Sequence, residues 1–83
     1  MVGTDTTTAV IWKEELMIEI HVNGEPMNLA PDTSLTDLLA KMELSGRRVA
    51  IERNLEIVPR SQHGTTRLEH GDQIEVVQAI GGG

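Results

Sequence analysis

The chain of 83 residues closes on Gly81-Gly82-Gly83, and this is the place where its residue types most directly imply chemistry. Glycine lacks Cβ, takes nearly any backbone conformation and passes through channels too narrow for a side chain. Read as a free end, the run would let a partner grip the folded body while reaching the α-carboxylate of Gly83. That group ionises with a pKa of roughly 3.3 to 3.7 and is inert at neutral pH, so a nucleophile attacks it only once an oxygen becomes a good leaving group. Adenylation supplies such a leaving group. Sulfide or a persulfide then displaces AMP and leaves a thiocarboxylate, a good nucleophile fixed to a recognisable body. Cysteine is absent, so sulfur cannot ride on this chain as a side-chain persulfide.

Other reactive side chains form weaker patterns. His21, His63 and His70 lack the spacing of a zinc site, no His-Glu-x-x-His run exists, and no metal site is expected. The three histidines read as solvated. Ser61 beside His63 has no sequence signal for an oriented base or an oxyanion site, so nucleophilic catalysis is not expected. Arg47, Arg48, Arg53, Arg60 and Arg67 read first as solvated strand ends and loops, and second as a local basic patch. The glycines at 24, 46, 64 and 71 are isolated at turns and build no phosphate-cradling loop.

These groups need a frame, and the sequence outlines one. From Met17, Ile18, Ile20 and Val22 alternate with Glu19, His21 and Asn23, the period-two pattern of a half-buried strand. Asn23-Gly24 marks a hairpin turn, and a return strand runs from Glu25 to Leu29. Ser34 with Asp37 reads as a helix cap, followed by Leu35, Leu38, Leu39 and Met42 on one helical face ending near Ser45-Gly46. Short strands follow at Val49 to Glu52, before a turn around Arg53-Asn54, and at Ile57-Val58. Pro59 to Thr66 is loop or short helix. Gly71-Asp72 turns into a last strand, Gln73 to Ala79, in which Ile74 and Val76 alternate with Glu75 and Val77. The order predicts an α+β β-grasp fold, one helix on one face of a mixed sheet.

Composition narrows the function class. A formal net charge of -6 and a single aromatic residue exclude a typical nucleic-acid binder and point to a basic partner surface. No apolar run reaches the ~20 residues needed to span a bilayer, and no leader pattern opens the chain, so no membrane association and a cytoplasmic location are expected. Absence of cysteine agrees with a reducing compartment. Residues 1–16 differ in texture, Thr-rich and then mixed around Trp12. They read as an N-terminal extension, disordered or foreign to the domain, leaving 17–83 as a carrier domain with a tail at 80–83.

The strand MIEIHVNGEP, the capped helix SLTDLLAKM, the segment VAIERNLEIVPRS and the ending GDQIEVVQAIGGG together resemble the ThiS family, sulfur carriers of thiamin thiazole biosynthesis. The resemblance runs from Met17 to Gly83. It implies a protein co-substrate and not an enzyme. A ThiF-type adenylyltransferase using ATP and magnesium would activate Gly83, a cysteine desulfurase would supply sulfur, and a ThiG-type thiazole synthase would receive it. The carrier itself would bind no cofactor. Gly81 and Gly82 would thread the partner, and Val77, Ala79 and Ile80 would face it. Two rival readings are the small subunit of molybdopterin synthase and a non-catalytic ubiquitin-like interaction module or modifier.

The extension shows no pattern that joins the sheet or helix, so a chain beginning at Met17 is expected to unfold thermally within ~1 kcal/mol of the full chain, the scale of one ordinary mutation. A larger loss would assign the extension to the domain.

Overall fold

The structure is a computed structural model that describes residues 16–78. Its elements run β1 (Ile18–Val22), β2 (Glu25–Leu29), α1 (Leu35–Lys41), β3 (Val49–Arg53), β4 (Glu56–Val58), a 3-10 turn (Arg60–Gln62) and β5 (Gln73–Gln78). Five strands form one sheet in the order β2-β1-β5-β3-β4. All neighbours are antiparallel except β1 and β5, the parallel pair at its centre. The helix between β2 and β3 covers one face. This is the expected β-grasp arrangement, and it puts the last strand in the middle of the sheet.

The period-two pattern sets which face is covered. Ile20, Val22, Ile51, Ile74 and Val76 point to the helix and join Leu29, Leu35, Leu38, Leu39 and Leu68 in the core. Burying each such side chain contributes roughly 1.5–3 kcal/mol, the main favourable term in a domain this small. Ser34 caps the helix as expected: its hydroxyl accepts from the Asp37 N–H at 3.0 Å, and the Asp37 carboxylate accepts from the Ser34 N–H at 3.2 Å. That backbone donor, then the Ser34 side chain, holds the Asp37 carboxyl below its ordinary value. The cap's electrostatic support is therefore present above the unfolded carboxyl's pKa of 3.8 and is lost as pH falls through the lower folded value.

The helix stops earlier than the sequence reading. It ends at Lys41, with Met42 as C-cap, and not near Ser45-Gly46. Glu43 takes a left-handed conformation, φ 62°, where glycine is usual. The Leu44 N–H then donates to the Leu39 carbonyl at 2.8 Å and the Glu43 N–H to the Ala40 carbonyl at 3.0 Å. Leu44 packs against the core, so burial of the residue after the stop offsets the strain at Glu43. Gly46, φ 75°, serves the next turn, closed by the Arg47 N–H on the Leu44 carbonyl.

Both hairpins turn on two residues with positive φ. Asn23 and Gly24, at 52° and 87°, connect β1 to β2. The second turn is centred on Asn54 and Leu55, one residue beyond the position read from sequence, at 52° and 73°. A left-handed leucine costs roughly 1–2 kcal/mol, and this one is 84% exposed, so its own burial offsets little of that. The sheet's edges are β2, which carries Pro26, and the three-residue β4. The extension's residues 1–15, Trp12 included, lie outside the described residues.

Leu55→Gly relieves the left-handed strain and adds back about 0.5–1 kcal/mol of backbone entropy. The expected net is a gain of up to about 1 kcal/mol, read as a rise of some 4–8 °C in Tm per kcal/mol for a domain of this size. A fall in Tm would show that the leucine side chain holds the hairpin tip.

Candidate functional site

The glycine run leaves the sheet from β5, so the site begins with what fixes that strand. On one side β3 pairs with it over five positions, Val49 to Arg53 against Gln78 to Ile74. On the other, β1 contributes only His21 with Gln73 and Val22 with Ile74 before the chain turns away. Asn23 extends that ladder with its side chain. Its N–H donates to the Ile74 carbonyl at 2.8 Å, its amide oxygen accepts from the Val76 N–H at 2.9 Å, and its amide nitrogen donates to the Val76 carbonyl at 3.3 Å. An asparagine amide thus replaces the next peptide of a parallel strand.

The start of β5 is held by Asp72, which is 5% exposed. Its carboxylate accepts from Arg53 Nε at 2.8 Å, from Asn54 Nδ2 at 3.1 Å and from the Glu69 N–H at 2.9 Å. Asn54 also accepts from the Gln73 N–H and donates its own N–H to the Gln73 carbonyl. A buried carboxylate is costly unless its oxygens are satisfied, and these three donors satisfy them. Sequence reading found Asn23 and Asp72 as turn residues but missed both of these roles, since their partners are distant in the chain.

Held this way, β5 buries Ile74 and Val76, 1% and 8% exposed, and turns Val77 outward at 61%. That is the strand register expected from sequence. Val77 sits opposite Ala50 on the face away from the helix. An open groove of about 310 Å³ runs beside it, lined by Arg48, Val49, Ala50, Arg60, Val77 and Gln78. A second hollow of about 200 Å³ adjoins it through Val49 and Arg60 and includes Arg47 and His63. Of the five arginines, three therefore gather at the tail end of the sheet, while Arg53 is paired to Asp72. Ala79, Ile80, Gly81, Gly82 and Gly83 lie outside the described residues.

The reading of the histidines needs one correction. His63 is not solvated: it is 6% exposed, and its Nε2 donates to the Val58 carbonyl at 3.1 Å. Its own carbonyl accepts from the Thr36 N–H, so it ties the loop after β4 to the start of α1. Turned inward on a carbonyl, this ring is oriented by main chain and not by Ser61. His70 Nδ1 accepts from the Glu19 N–H. Among the described residues no group of three or more His, Cys, Asp or Glu side chains is placed to hold a metal, and no helix is long and apolar enough to cross a membrane.

A sheet of this order with one helix across it and its last strand at the centre defines the β-grasp class. Within that class, the family model described as ThiS family matches residues 20–83. The chain belongs to the ThiS family. It is 35% identical over 65 residues to the sulfur carrier protein ThiS of Bacillus subtilis, covering 77% of this chain and 98% of that one. It is 46% identical over 66 residues to a thiazole synthase of Magnetococcus marinus, covering 80% of this chain but 20% of that protein. The chain thus spans about a fifth of the length of the thiazole synthases it matches. The crystal structure of the thiamine biosynthesis protein ThiS from Geobacter metallireducens superposes with a TM-score of 0.68 at 29% identity, covering 80% of this chain and all of that one.

Val76→Asp buries a charge with no partner in the core and is expected to cost about 3–5 kcal/mol, enough to unfold much of the population. Val77→Asp, on the open face, should stay within about 0.5 kcal/mol of the parent in urea unfolding. The reverse order of effects would mean that the strand is shifted by one residue.

Proposed function

We propose that this chain is a sulfur carrier of thiamin biosynthesis whose working group is the carboxylate of Gly83. One observation carries the reading: the family match runs through the whole glycine end to residue 83, on a strand that the sheet holds at its centre. The chain acts as a co-substrate and binds no cofactor of its own, in the reducing cytoplasm. A ThiF-type adenylyltransferase transfers AMP from magnesium-bound ATP to a Gly83 oxygen and releases pyrophosphate. Sulfide attacks the acyl carbon and AMP departs, leaving –C(=O)S⁻. A cysteine desulfurase supplies the sulfur as a persulfide, and a thiol then cleaves the S–S bond of the acyl adduct to leave the same product.

The thiocarboxylate delivers its sulfur to a ThiG-type thiazole synthase, the partner to which the relatives bearing that name lend support. Gly81 and Gly82 thread the active sites, since a channel that excludes side chains also excludes water and other carboxylates. Val77, Ala79 and Ile80 form the approach to the partner. The folded body supplies recognition, and the tail supplies reach.

Adding one residue after Gly83, or removing Gly83, shifts the carboxylate by up to about 3.6 Å, well beyond the ~1 Å misplacement that can cost a hundredfold in rate. Partner binding is expected to survive in both variants and activation to stop. Intact mass after incubation with a ThiF-type enzyme, ATP and a sulfur source should show one oxygen replaced by sulfur in the unaltered chain alone. Sulfur gained as readily by either variant would remove Gly83 from the chemistry. Transfer onward to a molybdopterin synthase large subunit, and not to thiazole synthase, would favour the rival carrier role.

A further inference from the structure

The chain is acidic overall, yet the surface beside the tail is not. Arg48 and Arg60 flank Val77 in one groove, and Arg47 lines the hollow that joins it. These are three of seven basic residues in a chain of net charge -6. Among the described residues the one salt bridge is Arg53 with Asp72, so none of the three has a carboxylate within bridging distance there. Further along the same outer face the sign reverses, where Glu52 and Glu75 stand directly opposite each other. The face away from the helix therefore runs from basic at the tail end to acidic at the start of β5, with exposed Val77 and Ala50 at the basic end.

We propose that this groove is the docking site for the adenylating partner and takes an apolar side chain of that partner ringed by its Asp or Glu carboxylates. The assignment rests on the carrier reading above. Its occupant follows from geometry and charge. Five residues separate Gln78 from the carboxylate of Gly83, a reach of at most ~18 Å at ~3.6 Å per residue. An enzyme that holds Gly83 in its active site therefore brings its surface to this end of the sheet. Arginine suits carboxylates because its planar fork donates two parallel hydrogen bonds, and an apolar floor beside it lets the pair form with less competition from water. A basic partner surface, suggested by total charge, would meet three unpaired guanidinium groups here and be repelled. Exposed ion pairs contribute little affinity singly, so the arginines act together, steering approach and fixing orientation while Val77 anchors.

The test uses the full chain and a ThiF-type adenylyltransferase. Affinity is measured at 50 and 300 mM salt, with acyl-adenylate formation followed separately. Arg48→Glu with Arg60→Glu should weaken binding by about tenfold or more and flatten its salt dependence, since exposed charge pairs are screened by salt. Arg48→Lys with Arg60→Lys should retain most of the affinity. Lys41→Glu with Arg67→Glu, the same charge change away from the groove, should leave affinity within about twofold. Equal losses in both glutamate pairs would reduce the effect to net charge and overturn the assignment, as would undiminished binding of the groove variant. Unchanged carrier affinity with a raised KM for ATP would make the groove a nucleotide contact and overturn it too. Should the unaltered chain bind but gain no sulfur, the carrier reading fails while the docking surface stands; should it not bind at all, both fail.

Discussion

The domain depends on keeping β5 between two strands that contribute unequally. β3 pairs along five positions and β1 along two. A parallel pair of that length would leave peptide groups of β5 unmatched on one side, and an unmatched buried peptide group costs about as much as a lost hydrogen bond. The Asn23 amide fills that gap, and Asp72 fixes the strand's first residue through Asn54. Most of the rest follows from this placement: Ile74 and Val76 reach the core, Val77 faces out, and the chain leaves the sheet from its middle and not from an edge.

What could be read from the residues was local. Alternation of Ile18, Ile20 and Val22, the Asn23-Gly24 turn and the Ser34-Asp37 cap each involve neighbours within a few positions, and the structure has all three. The features that escaped reading join distant residues: Asn23 to Val76 across 53 positions, and Arg53 to Asp72 across 19. Each of those side chains already had a sufficient local explanation, which concealed the second role. The helix end was misplaced because Gly46 is the residue type that commonly stops a helix, whereas Glu43 does so here with Leu44 buried behind it. His63 looked solvated because nothing in the sequence shows that the loop after β4 folds back onto α1. Of the candidate site, the outward turn of Val77 was legible from strand alternation, while the gathering of three arginines required the turn of chain after α1 and the turn after β4 to meet.

Charge shows the difference between a sum and an arrangement. A net charge of -6 describes how the molecule behaves at distances well beyond a Debye length, where it acts as a weak anion. At contact distance the sign is set by whichever side chains share a face. Here the sheet's outer face carries both signs, separated along β5, and so has a direction as well as a charge. A partner approaching with the opposite polarity is turned before it touches, and the strand that bears the tail lies along the axis of that turn.

The sheet's two borders have a further consequence. One carries Pro26, which has no N–H to donate, and the other is a strand of three residues. Borders of this kind give little template for another chain to add itself as a sixth strand. A protein met by many copies of itself and by successive partners is thereby protected from sticky side-by-side association, and its encounters are directed to the one end where the backbone leaves the sheet. Release is correspondingly simple, because no ladder of main-chain hydrogen bonds along a border has to be unzipped before the next handover begins.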